Sequence, residues 1–128
     1  MAIIGNATTQ PMRTACFSIA CMDTFPGAGT RSPGGNALNQ SIHFRRRGHP
    51  TSMLGAIGND DAGQAIRGLL ETHRIDASHL QLLEGGATAS NRIRVDASGE
   101  RYGIEGAWNP GVYADHRLSE ADWRHLNA

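Results

Sequence analysis

The residues best suited to chemistry sit in Pro33-Gly34-Gly35-Asn36-Ala37-Leu38-Asn39. Two glycines ahead of a helical pattern let the backbone come close to a ligand, and the helix start offers free N–H groups. Asn36 and Asn39 are three apart, so both side chains can face one side of the first turn. An amide both donates and accepts, which suits the paired hydroxyls of a sugar. The same residues also read as an ordinary turn followed by Asn36 as an N-cap. Asp23 closes an apolar run, and ligands of open α/β sheets bind beyond the carboxyl ends of strands, so a carboxylate there is placed to accept hydroxyls. It also reads as a loop aspartate making an Asx-turn.

Other clusters carry less. Gly27-Ala28-Gly29 follows a strand, but Ser32 stands where a dinucleotide fingerprint needs its third glycine and Pro33 breaks any helix. Asn59-Asp60-Asp61 ends a strand with two carboxylates, and helix capping explains all three residues without a metal. The histidines show no ligand spacing; His73 and His79 straddle a helix end and a loop. Arg45-Arg46-Arg47 reads as a solvated helix face. No metal site is expected.

The elements that must position these residues follow from hydrophobic pattern. Residues 1–13 read as a leader. Ala15 to Met22 is a continuous apolar run, the pattern of one strand buried on both faces and ending at Asp23. Phe25 to Gly35 is too rich in Gly and Pro for helix. Asn36 to Arg47 predicts a helix with Ala37, Leu38, Ser41, Ile42 and Phe44 inward, cations in its last turn and Gly48 as its stop. Met53–Ile57 predicts a second buried strand. A helix with Ala62, Ala65, Ile66, Leu69 and Leu70 inward follows it. Leu80–Glu84 reads as a strand, and residues 87–96 and 101–105 as a hairpin around Asp96-Ala97-Ser98-Gly99-Glu100. Ser119-Glu120-Ala121-Asp122 opens a terminal helix with a capping-box-like start. Strand–helix–strand–helix order predicts an α/β fold with right-handed crossovers.

Whole-chain properties narrow the function classes. With 128 residues the chain is one domain or part of a larger one. Twelve basic residues, all Arg, balance twelve acidic ones, which removes the electrostatic case for a nucleic-acid partner. The absence of Lys excludes any mechanism that needs a lysine amine. No apolar run nears the ~20 residues of a membrane span, and residues 1–14 lack the apolar core of a secretory signal. The sequons at Asn6 and Asn39 therefore carry no weight. Cys16 and Cys21, five apart on the expected single strand, would face opposite ways and form no disulfide. Two reduced thiols fit a cytoplasmic protein.

With these motifs in place, residues 14–128 resemble the N-terminal half of a PfkB/ribokinase-family carbohydrate kinase. The match comprises the strand ending in Asp23, the Gly34-Gly35-Asn36-Ala37-x-Asn39 helix start and a Gly-x-x-Gly-x-Asp-x-x-Gly stretch at Gly55, Gly58, Asp60 and Gly63. The short connection from Asp23 to Gly34, and Gly111-Val112-Tyr113-Ala114-Asp115 running into Leu118-Ser119-Glu120, are most similar to fructoselysine/fructosamine 6-kinases. The resemblance implies a ribokinase-like three-layer α/β fold with a small β-sheet lid, its strands at about 24–34 and 87–106. It implies transfer of the ATP γ-phosphoryl group, with Mg²⁺, to a sugar or fructosamine hydroxyl, and a possible homodimer through the lid. By carry-over, Asp23, Gly34, Gly35, Asn36 and Asn39 hold the sugar, and Arg101 is a candidate to face the phosphates. The family's Gly-Ala-Gly-Asp motif, which supplies base and anion hole, is absent from the chain. The expectation is therefore a truncated N-terminal portion, without the nucleotide-binding half and inactive alone. The alternative is a non-catalytic sugar-binding or lid-dimerisation module.

Overall fold

The computed structural model describes residues 10–128. The chain runs β1 (Thr14–Phe17), β2 (Cys21–Phe25), β3 (Thr30–Gly34), α1 (Asn36–Arg46), β4 (Thr51–Gly58), α2 (Asp61–Thr72), β5 (Leu80–Leu83), β6 (Ala89–Val95), β7 (Arg101–Gly103), a 3-10 turn (Gly111–Asp115) and α3 (Glu120–Asn127). Residues 1–9 of the expected leader, with the Asn6 sequon, lie outside the described residues. Met12 and Arg13, at its end, are held by hydrogen bonds to His49 Nδ1 and to the His125 carbonyl.

Two sheets divide the strands. The core sheet is parallel, in the order β1-β4-β5, and the second is mixed, in the order β3-β2-β6-β7. Every residue of β4 is buried, because both faces of this central strand are covered. Met53 and Ile57 point toward α1 and α2, where they join Cys16, Leu38, Ile66 and Leu70 in the main core. Ser52, one residue out of phase, meets His125 of α3 at 2.9 Å, so α3 covers the opposite face. Helices on both sides of a parallel sheet make three layers.

The expected single strand over residues 15–22 is in fact two strands in different sheets. Ser18, Ile19 and Ala20 form the step between them, and the Ile19 carbonyl accepts the Ala37 N–H at 3.2 Å where α1 begins. Hydrophobicity runs through this step because Cys16, Ala20, Cys21 and Met22 are all buried, so the pattern carries no mark of the change of sheet. Cys16 and Cys21 therefore lie on separate strands, both buried as free thiols. The Gly/Pro-rich stretch after Phe25 also folds further than expected, with residues 26–29 turning the chain into β3, antiparallel to β2.

The helices start differently. Gly35, at φ 98°, is the N-cap of α1 and makes Asn36 its first helical residue, not its cap. In α2 the cap is Asp60, whose carboxylate accepts the Gly63 N–H at 2.8 Å. Its buried stripe is Gly63, Ile66 and Leu70; Ala65, expected inward, is exposed because it sits one position off that stripe. The capping box of α3 is present, with Ser119 and Asp122 exchanging hydrogen bonds of 2.8 and 3.1 Å. Among the described residues, no helix is long and apolar enough to cross a membrane.

Candidate functional site

Asp23 lies in the middle of β2, in the mixed sheet, where the sequence pattern puts it at a strand's end. Its carboxylate leans over Gly34, in the neighbouring strand. A Cβ at Gly34 would overlap Asp23 Oδ2 and stand 3.2 Å from Cγ, so only glycine leaves the carboxylate its place. The Cys21 thiol donates to Asp23 Oδ1 at 3.5 Å, and it is the one protein donor to that carboxylate among the described residues. Burial, reinforced by the Asp23 charge, pushes the Cys21 thiol up to about 12, so it stays a neutral donor at physiological pH. A thiol is a weak donor, and a half-buried carboxylate served by one thiol keeps most of its accepting capacity for a ligand.

Gly35 joins this site to α1. A Cβ there would overlap the Ile19 carbonyl and lie 3.0 Å from the Ala20 Cα, and the positive φ also demands glycine. No side chain caps α1. Asn36 and Asn39 follow on its first turn, both exposed, with no side-chain hydrogen bond among the described residues. Gly34, Gly35, Asn36 and Asn39 thus continue directly from the glycine on which the Asp23 carboxylate rests.

Arg101 is further away in the sheet, on the outer strand β7, opposite Val95 of β6. Alternation along β6 puts Asn91, Ile93 and Val95 on one face, and Asn91 sits beside Asp23. Arg101 therefore shares the Asp23 face, and its guanidinium reaches back to 5.6 Å from the Phe25 ring centroid. Its guanidinium makes no hydrogen bond or ion pair among the described residues. Sequence reasoning missed Cys21, Phe25 and Asn91. The only trace of Asn91 in the sequence is its phase relative to Ile93 and Val95 in the alternating strand.

Asp60 performs capping rather than metal binding. Its Oδ1 accepts from Gly63 N–H and from the Thr88 hydroxyl (2.6 Å), and its Oδ2 accepts the Thr88 N–H at 2.9 Å. Burial raises its pKa, and the donors from Thr88 and Gly63 outweigh that, leaving the carboxyl below the ordinary value. Among the described residues, no three His, Cys, Asp or Glu side chains are grouped to hold a metal ion.

A family model described as pfkB family carbohydrate kinase matches residues 23–126. The chain belongs to the pfkB carbohydrate kinase family. Over 106 residues this pfkB chain is 29% identical to the fructoselysine 6-kinase of Escherichia coli K12, covering 83% of the chain and 39% of that kinase. It is 30% identical over 80 residues to the fructosamine kinase FrlD of Bacillus subtilis 168, covering 62% of the chain and 28% of that protein. The chain thus spans well under half the length of these relatives. The fructokinase of Halothermothrix orenii superposes with a TM-score of 0.72 at 12% identity, over 90% of the chain and 44% of that structure. A ribokinase of Cryptococcus neoformans var. grubii, solved in complex with ADP, gives 0.65 at 25% identity, over 84% and 36%. The ribokinase-like fold is established by these superpositions and by the three layers, with the mixed sheet in the place of the lid.

The pfkB resemblance implies ATP and Mg²⁺, and the glycine-rich turns described here do not fit a nucleotide cradle. Gly27 and Gly29 lie in the hairpin turn between β2 and β3. The N-terminus of α2, the other glycine-rich strand-to-helix junction, is filled by the Asp60 carboxylate.

Proposed function

We propose that this chain supplies the sugar-holding half and the lid of a cytoplasmic kinase that moves the ATP γ-phosphoryl group to a hydroxyl of a sugar or fructosamine. The observation that carries this reading is the Asp23 carboxylate: seated on Gly34, served by one thiol, and linked through Gly35 to two unpaired amides. In this reading Asp23, Asn36 and Asn39 bind sugar hydroxyls, while Gly34 and Gly35 allow the close approach. Membership of the pfkB family and the similarity to fructoselysine and fructosamine kinases supply the substrate class.

The nucleotide, its Mg²⁺ and the catalytic base belong, on this proposal, to the part of the relatives' length that the chain does not match. Phosphoryl transfer is almost entirely positioning and charge stabilisation, so this half holds the acceptor without completing the reaction. Two experiments test the proposal. The 128-residue chain, in a preparation free of host kinases, is expected to form no sugar phosphate from ATP above a protein-free control. Calorimetric titration of the same chain with fructose and with N-fructosyl amino acids is expected to show binding that Asp23→Ala removes. Phosphate transfer by the chain alone would overturn the division of labour, and binding indifferent to Asp23 would overturn the site.

A further inference from the structure

The lid face that carries Asp23 and Asn91 continues into a groove of about 670 Å³, floored by Phe25, Ile93 and Val95 and flanked by Ile104 and the hairpin turn at Pro26. Two cations line it, Arg101 and Arg94, and no carboxylate does. Arg94 is occupied over the Tyr102 ring at 5.5 Å, whereas Arg101 lies across Phe25 with its donors free. Phe25 is two residues from Asp23 along β2, a displacement of about 7 Å. The groove therefore begins within a sugar's length of the carboxylate, and it is larger than a free hexose requires.

We propose that this groove is a second subsite, which takes an extended apolar substituent on the sugar and pairs the substituent's terminal carboxylate with Arg101. The inference rests on the reading of Asp23 as the sugar ligand. Three features support the commitment. The floor is apolar, so it gains by covering a methylene chain and would gain little from a second ring of hydroxyls. The rim is purely cationic, so an anion gains and an amine is repelled. The guanidinium is already held flat against an aromatic ring, which lowers the ordering cost of a bidentate pair with a carboxylate. The substrate class this selects is a sugar conjugated through nitrogen to an amino acid or an ω-amino acid, in preference to the free sugar. Within the reaction, Arg101 then serves the acceptor substrate rather than the phosphates.

The test uses three ligands on the purified chain, followed by calorimetry: fructose, N-(1-deoxyfructosyl)-6-aminohexanoate, and the primary amide of that conjugate. The carboxylate conjugate is expected to bind about tenfold more tightly than its amide, as one charge-assisted pair allows. Arg101→Gln is expected to bring the carboxylate conjugate down to the affinity of the amide. Phe25→Ala is expected to weaken both conjugates toward fructose, with its fold checked by circular dichroism. Equal binding of conjugate and amide, or an advantage that survives Arg101→Gln, overturns the subsite while leaving the sugar site standing. Absence of binding by all three at millimolar concentration overturns the sugar site as well. In the kinase at full length, a rise in the KM for ATP on Arg101→Gln, with the preference for the conjugate intact, assigns the guanidinium to phosphate and also overturns the proposal. So does sedimentation showing a dimer of the chain that Phe25→Ala dissociates, because the groove would then be filled by a second copy.

Discussion

Asp23, Gly34 and Gly35 form a unit in which each residue type has a separate physical reason. Gly34 exists for the carboxylate, since its missing Cβ is the space that Asp23 Oδ2 occupies. Gly35 exists for the backbone, at φ 98° and packed on the Ile19 carbonyl. The two glycines should therefore fail differently when changed to alanine. Gly34→Ala is expected to displace the Asp23 carboxylate and cost at least tenfold in sugar affinity, with thermal stability little changed. Gly35→Ala strains the positive φ and drives a methyl into backbone, and is expected to cost on the order of 1–3 kcal/mol of stability. Urea melts beside sugar titrations separate the two, and a Gly34→Ala chain that binds sugar normally would remove the carboxylate's seat from the argument. In the active full-length kinase, Asp23→Ala is expected to lower kcat/KM for the sugar about a hundredfold, since charged hydrogen bonds contribute about 1.5–3 kcal/mol each. Asn39→Ala, which removes a neutral partner, is expected to cost about tenfold. The residue types at this site were legible in the sequence, because glycine pairs and spaced amides advertise close approach and hydroxyl recognition. The setting of Asp23 was not. Its carboxylate is placed by cross-strand register with Gly34 and by a thiol two residues away, and neither leaves a periodic signature.

At the scale of elements, the molecule is a core sheet and a lid joined by few connections. One of these is a polar clasp between the start of α2 and the entry to β6. The Thr88 hydroxyl accepts the Gly58 N–H at 3.0 Å and donates to Asp60 Oδ1 at 2.6 Å, and Thr88 N–H binds Asp60 Oδ2. The glycines around it are fixed by packing: a Cβ at Gly63 would overlap the Gly58 carbonyl, and one at Gly58 would overlap that of Gly86. The Gly-x-x-Gly-x-Asp-x-x-Gly stretch was legible as a motif and Asp60 as a cap. Thr88 was not, for it lies 28 residues beyond Asp60 and belongs to no local pattern. Thr88→Val keeps the shape and removes both hydroxyl bonds, leaving the Gly58 N–H buried without a partner. It is expected to cost about 1–3 kcal/mol, while Thr88→Ser, which retains the bonds, costs less than ~1 kcal/mol. Equal destabilisation of the two variants in chemical denaturation would show that the site works by packing alone. The same reasoning explains why the step between β1 and β2 escaped detection. Periodicity reports burial, and burial persists across Ser18–Ala20 while the hydrogen-bond partners change.

Across the whole molecule, the titrating groups give stability a directional dependence on pH. The His116 side chain is 8% exposed, and both ring nitrogens are buried without a partner among the described residues. It packs between Phe17 of β1, at 5.7 Å between ring centroids, and Tyr113 of the 3-10 turn, at 6.1 Å. Burial holds its pKa below the ordinary 6.5; the Asp122 charge pulls it up and Arg117 pushes it down. Unfolded chains bind a proton here before folded ones do, so the native state loses stability as pH falls below about 6.5, by at most ~1.4 kcal/mol per unit. The carboxyls of Asp60, Asp76 and Asp122 lie below their ordinary 3.8 in the folded chain. Their contribution is complete above that value and is lost as pH falls through the lower, folded values. Acid should therefore act in two stages, a shallow one carried by the imidazole and a steep one carried by the carboxylates. His116→Phe keeps an aromatic ring between Phe17 and Tyr113 and removes the buried unpaired nitrogens. It is expected to raise the melting temperature by a few degrees more at pH 5.5 than at pH 8, leaving the steep loss below pH 4 in place. Thermal melts of both proteins from pH 3 to pH 8 measure this directly. A constant offset between the two curves above pH 4 would mean that His116 contributes shape alone and that the shallow stage has another origin.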